Sequence, residues 1–323
     1  MGDIAFVFPG QGSQAVGMGR ALADGNGAAA AVFAAADLCL GEPISRLAWE
    51  GPADQLDQTI NAQPALLATS IAYLRALQAE RTAEGHEPLR PAFLAGHSMG
   101  QYSALVAAGV MSLDDGLRLV RERGRQMQAS ADDGAMAAII GLDEDRLPQV
   151  LAEGSRRGVL GVANRNSAGQ IVLSGARAAV EAGVEVARGL GARRAIVLPV
   201  SVAAHSPLMA RAAEGMRRAL APIPFADPST PLLANADAHL LTDGEACRAE
   251  LVEHLTSGVD WVAAVETMTA RGVDTFVEVG PGRVLSGLVR RIAPAATVIA
   301  LDDPAADGAL AAVGLQPAPA PSA

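Results

Sequence analysis

A serine between two glycines is the feature of this chain that is best suited to chemistry. The motif GHSMG at 96–100 follows a short apolar run at 91–95 and precedes a run at 101–109 that is typical of a helix. Strand, glycine-flanked serine and helix together indicate a nucleophile elbow, in which the hydroxyl stands clear of the sheet. Free N–H groups at the start of the helix can then face a developing oxyanion. We therefore predict that Ser98 is a nucleophile; a serine that only caps the helix is the alternative.

A serine nucleophile needs a base, and the chain contains five histidines. His205 lies in a segment, 199–209, that we interpret as a buried strand followed by a loop and a helix. A histidine at the end of a strand can reach an elbow on another strand. His97 is adjacent to Ser98, but the turn should point its ring away from the hydroxyl. His205 is thus the candidate base, and a packed, hydrogen-bonded histidine is the alternative.

The apolar pattern predicts the strands and helices that must position Ser98 and His205, and its order changes part-way along the chain. An apolar run at 4–8 predicts a buried strand, and helices are predicted at 15–40, 64–81 and 113–129. Between 131 and 199 the predicted order changes to β-α-β-β-α-β, which is the ferredoxin-like order. In the usual α/β-hydrolase the histidine lies near the C-terminus, so a histidine in the middle of the chain departs from that plan.

The pattern predicts an α/β fold with one small domain inserted into a larger one. The large α/β-hydrolase-like domain is expected at 1–130 and 200–310, and the ferredoxin-like (α+β) insert at 131–199. A proline-rich tail at 311–323 is expected to be disordered. With 323 residues, half of them hydrophobic, the chain can bury a large core.

Composition excludes several classes of function. Every basic residue is arginine, so no lysine can form a Schiff base. A net charge of −10 argues against nucleic-acid binding. Cys39 and Cys247 fit neither a disulfide framework nor a metal site, so no metal is expected. Because we find no signal-like segment and no long apolar run, we predict no membrane span and a cytoplasmic location.

Five motifs together carry a resemblance to a known family. The chain resembles the malonyl-CoA:acyl-carrier-protein transacylases, including free-standing acyltransferases of fatty-acid and polyketide synthesis. The resemblance covers residues 4 to about 300. Its motifs, in the family's order, are FPGQGSQ at 8–14, GHSMGQYSAL at 96–105, RGRQMQ at 123–128, VANRNS at 162–167 and EVGPG at 278–282.

The resemblance implies a ping-pong acyl transfer with no cofactor, since the coenzyme A thioester is itself the substrate. Ser98 would attack the thioester carbonyl while His205 takes the proton, giving an acyl-serine. The phosphopantetheine thiol of an acyl carrier protein would then accept the acyl group. The backbone N–H groups of Gln11 and Met99 would form the oxyanion hole.

The resemblance also assigns residues that recognise the substrate. Arg123 occupies the position of the clamp for the malonyl carboxylate, and a guanidinium bordering an apolar helix stripe can grip a carboxylate bidentately. Gln63 matches a glutamine of the family's active site. His254 stands where a glutamine is frequent and where the backbone carbonyl orients the catalytic histidine. Ala204, just before His205, leaves room for substituted malonyl units, although small residues there also occur in malonyl-specific enzymes.

Two other functions use the same residues. A serine hydrolase that removes acyl groups from carrier proteins would need Ser98 and His205 but gains nothing general from Arg123. A non-catalytic module that docks carrier proteins would need none of the three. The choice between malonyl-CoA and a substituted malonyl-CoA, and between fatty-acid and polyketide synthesis, stays open at this point.

Overall fold

Two β-sheets organise the residues that the structure, a computed structural model, describes: 3–130, 133–200 and 202–302. The strands within these ranges are, in chain order, β1 (Asp3–Phe8), β2 (Phe93–Gly96), β3 (Gly134–Ile140), β4 (Leu160–Ser167), β5 (Gln170–Ala176), β6 (Arg194–Val197), β7 (Leu232–Leu233), β8 (Leu240–Leu241), β9 (Val259–Asp260), β10 (Val273–Glu278) and β11 (Thr297–Ala300).

Helices cover both sheets. Within the described ranges they are α1 (Arg20–Gly25), α2 (Gly27–Leu40), α3 (Ile44–Glu50), α4 (Ala53–Leu56), α5 (Thr59–Ala83), α6 (Gly100–Ala107), α7 (Leu113–Ala129), α8 (Leu147–Gly154), α9 (Arg177–Gly189), α10 (Ala210–Leu220), α11 (Gly244–Glu253), α12 (Trp261–Ala270) and α13 (Val284–Ile292). Short 3₁₀ turns occur at Glu144–Arg146, Ser155–Arg157 and Pro207–Met209.

The larger sheet has the strand order β11-β10-β1-β2-β7-β8, and all its pairs are parallel except β7 with β8. Strand β1, inside this sheet, is buried on both faces: Phe6 and Phe8 join one apolar cluster, while Ala5 and Val7 join another. A strand buried on both faces explains the continuous apolar run in the sequence. Phe8 pairs with Gly96, so the loop that follows β1 lies beside the serine elbow.

Helix α7 shows how the sequence positions one site residue. Ser112 caps its first turn by accepting a hydrogen bond from the Asp115 amide at 3.0 Å. At Gly124 a Cβ atom would lie 2.6 Å from the Ile60 Cα, so this glycine lets α7 pack closely against α5. The preceding residue, Arg123, lies on the same buried face and is only 2% exposed.

The smaller sheet has the strand order β6-β3-β5-β4-β9. The pairs among β3, β4, β5 and β6 are antiparallel, and α8 and α9 follow β3 and β5 in the chain. Leu173 of β5 packs with Val150 of α8 and Val180 of α9 in a separate apolar core. β9, from a later part of the chain, pairs in parallel with β4 and joins the two parts of the molecule.

Some predicted elements differ from the observed ones. The strand predicted before His205 is wrong: the described residues of 199–204 join no sheet, because this segment crosses from one sheet to the other. The helix at 15–40 is interrupted at Asn26, whose side chain caps α2. Helix α5 begins at Thr59 rather than Pro64, because the Gln58 carbonyl accepts the first helical hydrogen bonds. The predicted tail at 311–323 lies outside the described residues.

Candidate active site

The serine elbow is a strained turn that requires glycine on both sides. Ser98 has a φ of 53°, which a non-glycine residue rarely adopts. A Cβ atom on Gly96 would lie 2.1 Å from the Gln101 amide nitrogen, and one on Gly100 would lie 2.2 Å from the Phe8 carbonyl oxygen. The two glycines therefore allow β2 to turn sharply into α6 against the end of β1.

Ser98 and His205 form a hydrogen-bonded pair across the two halves of the chain. The Ser98 Oγ lies 2.7 Å from the His205 Nε2. The His205 Nδ1 lies 2.6 Å from the His254 carbonyl oxygen and 3.1 Å from that of Ser257. Because carbonyl oxygens only accept, Nδ1 carries the proton and Nε2 is free to accept from the serine hydroxyl. This is the tautomer that a general base for Ser98 needs.

The environment keeps the His205 ring neutral. His205 is 5% exposed and has a φ of 60°. Burial, followed by the nearby His254 and Arg123, lowers its pKa to about 3, although the hydrogen bond to the His254 carbonyl acts in the opposite direction. A neutral imidazole at physiological pH can accept the proton of the serine.

Arg123 directs its guanidinium at the hydroxyl of Ser98. Its Nη2 lies 3.2 Å from the Ser98 Oγ and 3.4 Å from the His254 Nε2, while its Nη1 donates to the Gln63 Oε1 at 2.9 Å. Within the described residues no carboxylate lies within 4 Å of this guanidinium, and its Nε has no hydrogen-bond partner. Burial lowers the pKa of Arg123. A buried guanidinium without a counter-ion is suited to bind an anion.

Gln63 lies behind Arg123 rather than in the open cavity. It is fully buried in α5, and its amide nitrogen contacts the Met127 sulfur at 3.7 Å. Its contact with the site passes through the Arg123 guanidinium.

Gln11 and Met99 carry the two backbone amides that the resemblance assigns to an oxyanion hole. Among the described residues nothing accepts a hydrogen bond from the Gln11 N–H or from the Met99 N–H. The Ser98 N–H, by contrast, donates to the Asn235 Oδ1 at 2.8 Å. The first two amides can therefore still donate to an oxyanion, and their role as an oxyanion hole stays a prediction.

Sequence reasoning missed Asn235, Glu250 and Ser257. The Glu250 Oε1 accepts from the Asn235 backbone amide at 2.8 Å and from its side-chain amide at 3.0 Å. Both residues are buried, so a buried carboxylate holds the amide that in turn holds the elbow. Glu250 lies three positions before the end of α11, and no local sequence motif marks it or the residue that it contacts.

A cavity of about 460 Å³ opens between the two sheets beside Ser98 and His205. Ala204 is 8% exposed and lines it beside His205. The His97 ring bonds the Asn166 Oδ1 at 2.9 Å and makes no hydrogen bond to Ser98 among the described residues. The cavity is also lined by Gln11, Ser98, Arg123, Met136, Asn164, Gln170, Val172, Val202, Val284 and Leu288.

Comparison with known proteins assigns the family. The model of the acyl transferase domain matches residues 5–299. The malonyl CoA-acyl carrier protein transacylase of Escherichia coli O157:H7 is 44% identical over 308 residues, which are 95% of this chain and 98% of that protein. This chain is a malonyl-CoA:acyl-carrier-protein transacylase family member.

Solved structures of the family agree with this assignment. An acyl carrier protein S-malonyltransferase from Vibrio cholerae is 42% identical with a TM-score of 0.89, over 96% of this chain and 99% of that one. A malonyl-transacylase solved in complex with a type II polyketide synthase acyl-carrier protein is 38% identical with a TM-score of 0.90, over 97% of this chain and all of that one, 100%.

The described part of the chain contains neither a cluster of metal ligands nor a membrane-spanning helix. No three histidine, cysteine, aspartate or glutamate side chains there group closely enough to hold a metal ion. No helix there is both long enough and apolar enough to cross a bilayer.

Proposed function

We propose that this protein transfers a malonyl group from malonyl-CoA to the phosphopantetheine thiol of an acyl carrier protein through an acyl-serine. The observation that carries the proposal is the buried Arg123 guanidinium, 3.2 Å from the Ser98 Oγ and without a carboxylate partner among the described residues. A carboxylate on the acyl group would supply the missing counter-ion next to the nucleophile. The names of the relatives support the same substrate and acceptor.

Acylation begins with the hydrogen bond between Ser98 and His205. As the Ser98 Oγ forms a bond to the thioester carbonyl carbon, its proton passes to the His205 Nε2. The Gln11 and Met99 N–H groups stabilise the oxyanion of the tetrahedral intermediate. When the carbon–sulfur bond breaks, the imidazolium returns the proton to the leaving thiolate, which leaves malonyl-Ser98 and coenzyme A.

Transfer to the carrier protein reverses these roles with a different thiol. The phosphopantetheine thiol gives its proton to the His205 Nε2 and attacks the acyl-serine carbonyl. Collapse of the intermediate breaks the bond to the Ser98 Oγ, and His205 returns the proton to that oxygen. The proposed reaction needs no cofactor, because coenzyme A arrives as part of the substrate.

The substrate's carboxylate would also assist the base. His205 becomes an imidazolium in both half-reactions, and the Arg123 charge opposes that change. A malonyl carboxylate bound to Arg123 offsets this charge and favours the imidazolium. The clamp thereby links binding of the carboxylate to the basicity of His205.

The size of the acyl group is proposed to depend on Ala204. Its small side chain lines the cavity beside His205, so space remains next to the α-carbon of the acyl group. This supports slow loading of methylmalonyl or ethylmalonyl units, with malonyl as the main substrate.

The proposal also covers the division into two domains and the location in the cell. The order β6-β3-β5-β4 supports a ferredoxin-like insert at 131–199, and the parallel sheet with a serine elbow supports a hydrolase-like large domain at 1–130 and 200–310. The cytoplasm is the proposed location, which cell fractionation would test.

The transfer is distinguished from hydrolysis by following both products. Malonyl-CoA is mixed with the protein, with and without holo-acyl carrier protein, and free coenzyme A and free malonate are measured. We expect multiple turnovers only with the carrier protein, and malonyl-carrier protein as the product. Steady release of malonate without the carrier protein would instead indicate the hydrolase, and no reaction at all would indicate the docking module.

A further inference from the structure

The His254 side chain lies between a buried carboxylate and the Arg123 guanidinium. It is fully buried, with its Nδ1 3.7 Å from the Glu250 Oε1 and its Nε2 3.4 Å from the Arg123 Nη2. Because a guanidinium only donates, Nε2 must accept, and the ring proton therefore sits on Nδ1 and faces Glu250. The ring is thus oriented as a neutral bridge between opposite charges.

Glu250 is held as a carboxylate at one end of this bridge. It is 4% exposed, and its Oε1 accepts two hydrogen bonds from Asn235. Burial alone would raise its pKa, but His254 and Asn235 together lower it. Burial and Arg123 lower the pKa of His254, while Glu250 raises it. The rings of Tyr102 and His205 also face His254, at centroid distances of 6.2 and 6.0 Å.

We propose that Glu250 and His254 are positioning residues for Arg123 and that they increase the preference for carboxylated acyl groups. In the free protein the pair supplies the negative potential and the acceptor atom that hold the guanidinium towards Ser98. The site is then preorganised before the substrate arrives. This inference rests on the proposed function, because it concerns the residue that binds the malonyl carboxylate.

The side chain of His254 can be separated from its backbone. Its carbonyl oxygen orients His205, whereas only its imidazole contacts Arg123. A substitution at this position keeps the carbonyl and removes the bridge. The effect should therefore fall on substrates that use Arg123 and spare those that use only Ser98 and His205.

The test compares two thioesters in three variants. His254→Leu removes the bridge, and Glu250→Gln removes the charge but keeps an oxygen that can accept from Asn235. His254→Gln is the conservative variant, since its amide can accept from Arg123 and donate to Glu250. The matched control is His239→Gln, at an exposed histidine that pairs with Asp237. Rates of acyl-enzyme formation are measured with malonyl-CoA and acetyl-CoA, separating kcat from KM.

We expect His254→Leu and Glu250→Gln to lower the malonyl-to-acetyl ratio of kcat/KM by about tenfold, the scale expected for losing one hydrogen bond to a charged group. The loss should lie mainly in KM for malonyl-CoA, and His254→Gln should restore most of the ratio. His239→Gln should not change it. Thermal unfolding of each variant shows that it is folded; if His254→Leu does not fold, Glu250→Gln carries the test.

An unchanged ratio in both variants overturns the inference, and so does an equal fall for both thioesters, which would place the effect on His205. A wild-type protein that shows no preference for malonyl-CoA over acetyl-CoA would instead overturn the proposed function. The two failures are therefore distinguishable.

Discussion

Replacing Arg123 with alanine removes the positive charge that the proposal assigns to the malonyl carboxylate. Arg123 is 2% exposed, so little water can take the place of its guanidinium around the substrate. Losing one partner of a buried, hydrogen-bonded charge pair costs about 2–5 kcal/mol. At about 1.4 kcal/mol for each factor of ten, malonyl loading should fall roughly 30- to 5,000-fold in kcat/KM.

Acetyl-CoA provides the internal reference for this prediction, because it has no carboxylate to lose a partner. Arg123→Ala should lower acetyl loading much less than malonyl loading, so that the preference moves towards acetyl-CoA. Arg125→Ala is the matched control, since this arginine lies two residues later on α7, is 67% exposed and pairs with Glu122. The control should behave like the wild type with both thioesters.

Stopped-flow measurement of coenzyme A release gives both rates for each protein. The reasoning is refuted if Arg123→Ala keeps its malonyl preference, or if Arg125→Ala changes it as much. Thermal unfolding separates a lost clamp from a lost fold, because Arg123 also bonds the buried Gln63. An equal fall for both thioesters in a folded variant would show that the guanidinium serves Ser98 rather than the acyl carboxylate.

Four further predictions follow from the site. Because the pKa of His205 is lowered from 6.5 to about 3, acetyl loading should keep its rate well below pH 6.5 in a stopped-flow pH profile, and an acidic limb near 6.5 would argue against a neutral base. The same shift means that the contribution of His205 to the free energy of unfolding, measured with urea, falls as the pH drops from 6.5 towards 3. Asn235→Ala removes the acceptor of the Ser98 N–H and should lower kcat by about tenfold for malonyl and acetyl alike, with no change in their ratio. Ala204→Phe should suppress methylmalonyl loading and spare malonyl loading in a competition assay. If the wild type rejects methylmalonyl-CoA as firmly as Ala204→Phe does, position 204 does not select substrates. We expect acidic side chains of the carrier protein to dock beside the cavity at Arg291, an exposed arginine that donates to the cavity residue Gln170. Arg291→Glu should therefore raise KM for the carrier protein and leave acylation by malonyl-CoA unchanged, and equal damage to both half-reactions would oppose this docking role.

Local sequence patterns predicted the helices and strands better than the pairings and connections between the two sheets. Helix α7 begins and ends at the predicted residues, because it has a strong amphipathic stripe. The β-α-β-β-α-β order of the small sheet is also visible in alternating apolar runs. The pairing of β9 with β4 was not predictable, since a two-residue strand has no periodicity. The three residues just before His205, 202–204, are apolar and buried, and burial alone does not make a strand.

The residues of the candidate site likewise divide into those that a local motif marks and those that only long-range contacts reveal. Ser98 has a local motif, and the structure places His205, Arg123 and the Gln11 loop around it, although their roles stay predictions. Asn235 and Glu250 have no motif, because each acts through a contact with a residue far away in the chain. Gln101 illustrates the same limit: its buried amide bonds the Gly96 N–H and the Leu233 carbonyl and helps to hold the turn.

The acyl-enzyme itself can be observed by mass spectrometry. The protein is mixed with malonyl-CoA, quenched, weighed intact and mapped by proteolysis, and a second sample receives holo-acyl carrier protein before quenching. We predict one malonyl group on the peptide containing Ser98, its complete transfer to the carrier protein in the second sample, and no adduct on Ser98→Ala. A malonyl group that persists on Ser98→Ala, or one on Ser98 that the carrier protein cannot remove, would contradict the proposed transfer.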